Sequence, residues 1–220
     1  MQTLNDFVMQ KPRPLPVIVA VDRSGSMGAD GKIDALNLAL KNFINSLQGD
    51  SNSNVEILLS LYSFGSDTAT CDIPLTPAND ISDVPVYDAS GRTPMGMAFK
   101  EMRELIENRE LIPSRAYKPT IVIITDGIPT DDYQTEMVKL IKDGRSSKAF
   151  RMAMAIGEDA DRDMLSEFVS EPEYLVSGDK ARDIVKFFKY VTMSVTSRTR
   201  SQSPDNPVIP PYPEDDIIEF

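Results

Sequence analysis

The chain contains no histidine and a single cysteine, Cys71. One cysteine excludes an intrachain disulfide. Without histidine, Cys71 has no imidazole base to make it a nucleophile, so it reads as a small residue in a strand over 70–73. No window approaches the roughly eighteen apolar residues of a membrane span. The opening MQTLNDFVMQKPRP lacks the basic start and apolar stretch of a signal peptide. A cytoplasmic location is therefore expected, which argues against an extracellular adhesin. Positive charge is short as well: 23 Lys and Arg stand against 34 Asp and Glu, a formal net charge of −11. That balance argues against nucleic acid or an anionic membrane as the main partner. A GxxxxGK[ST] phosphate loop is also absent.

What is present is ordinary globular usage, 41% hydrophobic and 26% charged over 220 residues, enough for one substantial core. Apolar patterning alternates between two periods. Residues 15–21 form an unbroken apolar run, as expected for a parallel strand covered on both faces. Residues 32–48 then place Ile33, Leu36, Leu40, Phe43, Ile44 and Leu47 on one helical face. A long strand over 55–64 and a short turn at Gly65-Ser66-Asp67 lead into 68–75, the spacing of an antiparallel hairpin at a sheet edge. Further on, the pattern predicts a helix over 94–108 and a strand over 121–124. A helix over 133–143 and a strand over 150–156 follow, then a helix over 161–169, a strand over 174–176 and a helix over 180–195. In the 94–108 helix, Met95 and Met102 join Ala98, Phe99, Leu105 and Ile106 as gap-filling core residues. The fold class is α/β: a doubly wound, mostly parallel sheet with one antiparallel edge strand and helices on both faces.

Where the first strand stops, the chain reads Asp22-Arg23-Ser24-Gly25-Ser26-Met27-Gly28, a carboxylate and two hydroxyls on alternate residues of a tight loop. Alternate residues of an extended loop point the same way, so Asp22, Ser24 and Ser26 can converge. Gly25 and Gly28 are read as letting the backbone bend close to an ion. Hard cations such as Mg2+ take oxygen ligands, and the C-terminal ends of strands are where open α/β sheets place ligands. The strand 121–124 runs into Thr125-Asp126-Gly127, a second carboxylate at a strand end. Between them, Gly91-Arg92-Thr93-Pro94 places Thr93 just ahead of a helix, which is also the pattern of a helix cap. Asp131 and Asp132 read as helix first-turn acids or as outer supports of the site. Glu158, Asp159, Asp161 and Asp163 read as a solvated loop and helix start.

The ordered set Asp-x-Ser-x-Ser, Thr, Asp resembles the metal-ion-dependent adhesion site of von Willebrand factor A domains, over about residues 15–195. The phrases VDRSGSMG, GRTPMGMA and ITDGIPTD look most like the small stand-alone bacterial proteins of the TerY type, linked by family to tellurite resistance and stress response. The resemblance implies a Rossmann-like fold and one metal site formed by Asp22, Ser24, Ser26, Thr93 and Asp126. It implies Mg2+ as the ion, with Ca2+ or Mn2+ as substitutes. It further implies a partner protein that supplies an acidic residue in a signalling assembly, a kinase or a PP2C-like phosphatase being the candidates. The alternative is a Mg2+-dependent phosphatase or hydrolase. Aspartyl-phosphate phosphatases, however, need a second acid two positions after the first, and Ser24 stands there. The expectation is a binding module with no catalytic residues.

The expected organisation is an N-terminal extension over 1–14, a domain over 15–196 and a Pro-rich, acidic tail over 197–220. Such a tail reads as disordered, or as a docking peptide through Ile217, Ile218 and Phe220.

Overall fold

The computed structural model describes residues 11–48, 54–206 and 208–213. The apolar run becomes β1 (Arg13–Asp22), followed by α1 (Lys32–Gln48), β2 (Val55–Gly65) and β3 (Thr68–Pro77). Next come α2 (Met95–Glu107), β4 (Thr120–Thr125), α3 (Tyr133–Lys142) and β5 (Phe150–Ile156). The order closes with α4 (Arg162–Phe168), β6 (Leu175–Gly178) and α5 (Ala181–Arg200). One six-stranded sheet has the order β3-β2-β1-β4-β5-β6. Every neighbouring pair is parallel except β2 with the edge strand β3. Cys71 is a free, exposed thiol on that edge.

The absence of polar alternation in β1 has a direct structural cause. Val17, Val19 and Val21 face a core with α1 and α5, while Ile18 and Ala20 face a second core with α2, α3 and α4. Strand order reverses at β1, whose neighbours are β2 on one side and β4 on the other. The carboxyl ends of β1 and β4 therefore flank the crevice in which open α/β sheets place ligands.

The C-terminal region departs from the reading of a disordered tail. Helix α5 continues through Arg200 because its inward face stays buried to the end, at Val195, Arg198 and Thr199. The Arg198 guanidinium donates to Thr120 Oγ1, to the Lys118 carbonyl at 2.7 Å and to the Pro204 carbonyl at 2.9 Å. Past the helix, Ile209 and Tyr212 pack on the α1/α5 core, Tyr212 edge-on to Tyr190 at 5.3 Å between ring centroids. Ser197 Oγ donates to the Val208 carbonyl at 2.9 Å. Basic and proline-rich composition did not signal this, because the stretch gains partners from the strand ends rather than a core of its own. Ile217, Ile218 and Phe220 lie outside the described residues. No described helix is long and apolar enough to cross a membrane.

Candidate metal centre

Asp22 is the last residue of β1 and is fully buried. Its Oδ1 accepts from the Ser24 backbone N–H at 2.7 Å, and its Oδ2 accepts from the Thr125 hydroxyl at 2.6 Å. Pairing of Val21 with Ile124 brings Thr125 alongside Asp22. Both donors are neutral. Burial pushes the Asp22 carboxyl up to about 6, the hydrogen bonds from Thr125 and Ser24 pull it back in part, and the nearby Asp126 charge adds to the rise.

After Ser24 the loop does not stay extended. Residues Gly25–Gly28 form a 3-10 turn whose buried Met27 anchors it to the α1/α5 core. This turn, rather than strand-like alternation, brings Ser24 Oγ and Ser26 Oγ to 3.0 Å. Ser26 Oγ then donates to Asp126 Oδ1 at 2.7 Å, linking the β1–α1 loop to the end of β4. The other Asp126 oxygen, Oδ2, accepts from Lys32 Nζ at 2.8 Å. Sequence reasoning missed both Lys32 and Thr125. For Lys32 the signal was a cation on the first residue of a helix, where an acid is favoured. For Thr125 it was a hydroxyl breaking an apolar strand beside Asp22.

Thr93 is buried and reaches the cluster from the β3–α2 connection. Its hydroxyl does not cap α2; the N–H groups of Gly96 and Met97 go instead to the Asp131 carboxylate, at 2.9 and 3.0 Å. Asp131 thus serves α2, not the first turn of α3. The Thr93 carbonyl also accepts from Thr130 N–H at 3.0 Å, so the loop carrying Thr93 is fastened to the loop after Asp126. A methyl group at Gly127 would lie 3.3 Å from Thr93 Oγ1 and 3.9 Å from Ser26 Oγ. Any side chain there would fill the cradle between the two hydroxyls.

The backbone demands fall elsewhere than expected. Neither Gly25 nor Gly28 has a positive φ, and a methyl group on either would meet only ordinary contacts. The left-handed glycine of these loops is Gly91, with φ of 71°, where a methyl group would overlap the Ser66 backbone. That close approach lets the loop pair on both sides, with Ser90 N–H on the Arg23 carbonyl and Arg92 N–H on the Ser66 carbonyl.

Asp22, Ser24, Ser26, Thr93 and Asp126 therefore lie in one cluster, with Asp22 as its buried floor and Ser26 exposed at its mouth. Among the described residues no three His, Cys, Asp or Glu side chains gather into a metal-binding group. This cluster instead combines two carboxylates with three hydroxyls, an all-oxygen set suited to a hard cation. Residues 17–189 match the family profile of the von Willebrand factor type A domain. The chain belongs to that family. Von Willebrand factor type A domains generally mediate protein–protein interactions and bind divalent metals.

Solved von Willebrand factor type A and related structures share the fold. Proximal thread matrix protein 1 from the mussel byssus, with a zinc-occupied MIDAS motif, is 18% identical at a TM-score of 0.61, covering 84% of this chain and 46% of that one. The pilus adhesin SpaC from Lactobacillus rhamnosus GG is 15% identical at a TM-score of 0.69, covering 87% and 32%. A von Willebrand factor type A structure from Catenulispora acidiphila is 19% identical at 0.64, covering 84% and 43%. The chain thus spans less than half the length of each, and the likeness is one of fold. No curated protein matches the chain.

Proposed function

We propose that this von Willebrand factor type A domain is a metal-dependent protein-binding module. Asp22, Ser24, Ser26, Thr93 and Asp126 would hold one divalent ion, Mg2+ in the first place and Ca2+ or Mn2+ as substitutes. The observation that carries this reading is the convergence of two carboxylates and three hydroxyls around the cradle kept open by Gly127. The zinc-occupied motif of the mussel protein supports a divalent ion on this fold. When bound, the ion supplies a fixed positive charge able to take an oxygen from a partner's Glu or Asp carboxylate. Exposed Ser26 leaves the cluster open to such a partner, and the exposed side chain of Ile128 beside Gly127 offers apolar contact at the rim.

The finer reading rests on the sequence phrases: a bacterial, TerY-like protein acting in the cytoplasm in a tellurium-resistance or stress-response assembly, with a kinase or PP2C-like phosphatase as partner. Nucleic acid and membrane are not partners in this reading, in keeping with the net charge of −11. Capture of partner proteins by immobilised chain, with Mg2+ and with EDTA, tests it. Partner recovery that needs Mg2+ and disappears with Asp22→Ala is expected; recovery indifferent to EDTA would assign recognition to another surface. Phosphate release by the purified chain, abolished by Asp22→Ala, would support the hydrolase reading instead.

A further inference from the structure

Lys32 is the first residue of α1, the end of a helix where the macrodipole favours an acid and opposes a cation. Its side chain is only 14% exposed, so it forgoes most of the hydration that usually keeps a lysine at the surface. Among the described residues, both costs are met by one contact, the 2.8 Å ion pair with Asp126 Oδ2. The partner carboxylate has no exposed side-chain area and already accepts from Ser26 through its other oxygen. An ammonium held in this way is part of the metal centre's charge.

We infer that Lys32 sets the charge of the centre so that it holds the divalent ion less tightly and a partner carboxylate more tightly. The inference rests on the metal reading proposed above. Asp22 and Asp126 bring two negative charges, which a divalent ion alone would neutralise. With Lys32 in place the loaded centre keeps one net positive charge, and one incoming carboxylate balances it. Without Lys32 the same carboxylate would carry an uncompensated charge into a poorly hydrated site, on a chain whose net charge of −11 already repels it. Lys32 thus trades metal affinity for ligand affinity.

The test uses the full chain with Mn2+ as the metal probe and acetate as the carboxylate probe, at constant ionic strength. Electron paramagnetic resonance counts free Mn2+, and water-proton relaxation follows acetate as it displaces water from the bound ion. Relative to the parent, Lys32→Met should bind Mn2+ about tenfold more tightly or better and lose about tenfold in acetate affinity. Lys32→Arg, which keeps the charge, should stay within about threefold of the parent in both. A lysine that merely braces the loop would give the opposite sign for the metal, with Lys32→Met binding Mn2+ more weakly. That result, or a Lys32→Met variant matching the parent in either affinity, would overturn the inference while leaving the metal site standing. A parent chain that binds no Mn2+ would overturn the metal reading itself, and the inference with it.

Discussion

Asp22 is a carboxylate held in a buried place by two neutral donors, and this makes the pH behaviour of the centre calculable. Its folded value of about 6 lies above the ordinary 3.8, so between these pH values the folded chain binds more protons than the unfolded one. In metal-free protein, this group therefore costs stability above about pH 6, and the cost is relieved as pH falls toward 4. The shift of about two units corresponds to about 3 kcal/mol. Asp22→Asn should accordingly raise the stability of metal-free protein at pH 7 by about 1–3 kcal/mol in urea denaturation and flatten its pH dependence over that window. Thr125 Oγ1 can accept from the amide but then gives up the acceptor of its own buried O–H, which keeps the gain below the full value of about 3 kcal/mol. Stability that rises with pH from 4 to 7 in the parent would show that another group dominates this window. Metal binding should have the opposite pH dependence, weakening as pH falls through about 6, since the ion needs the carboxylate. Gly127→Ala tests the cradle from its other wall. Gly127 has no positive φ, so the fold should be kept, while Mg2+ affinity drops by about tenfold or more through occlusion. Calorimetry of Mg2+ binding reads this directly, and an unchanged affinity would place the ion elsewhere.

At the scale of elements, the centre depends on three loops being fastened to one another. Asp131 is the fastening between α2 and the loop after β4, accepting from the N–H groups of Gly96 and Met97. Asp131→Ala should cost about 1 kcal/mol, as loss of a helix cap does, and release Thr93. The expected signs are faster amide exchange at residues 93–97 and a weaker Mg2+ response, with β1 and β4 unaffected. Protection at 93–97 equal to the parent's would mean that the Thr93–Thr130 bonds and the Gly91 pairings hold the loop without Asp131. The elements themselves were largely legible in sequence, since apolar period and turn residues placed them within a few positions, except that α5 runs five residues beyond its expected end. The covered strands are the clearest case: two-sided burial at Val17 to Val21 leaves no polar alternation to confuse the period. That Asp22, Ser24, Ser26, Thr93 and Asp126 lie near one another was legible for a different reason, because β1 and β4 both end, and the loop before α2 passes, at the same edge of the sheet. Hidden from sequence were contacts between distant segments. Asp131 capping another helix, Lys32 reaching Asp126 and Arg198 reaching Thr120 and Lys118 each depend on packing that local pattern does not encode.

For the whole molecule, the balance is between a local cation and a global excess of negative charge. A net charge of −11 repels an acidic partner at long range, while on the proposed reading a metal-loaded centre would attract it at contact. Moderate salt should therefore speed association with an acidic partner, the reverse of ordinary electrostatic steering. None of Asp22, Ser24, Ser26, Thr93 and Asp126 belongs to the two apolar cores on either face of the sheet, so replacing one of them should spare the fold. Calorimetric titration of Mg2+ into EDTA-stripped parent chain and Asp22→Ala, with circular dichroism of both, is the most direct measurement. The parent should show one saturable site, and Asp22→Ala should lose most of the affinity with its far-UV spectrum unchanged. The same Mg2+ isotherm in both proteins, or no binding heat in the parent at several temperatures, would contradict the assignment of this cluster as a metal centre.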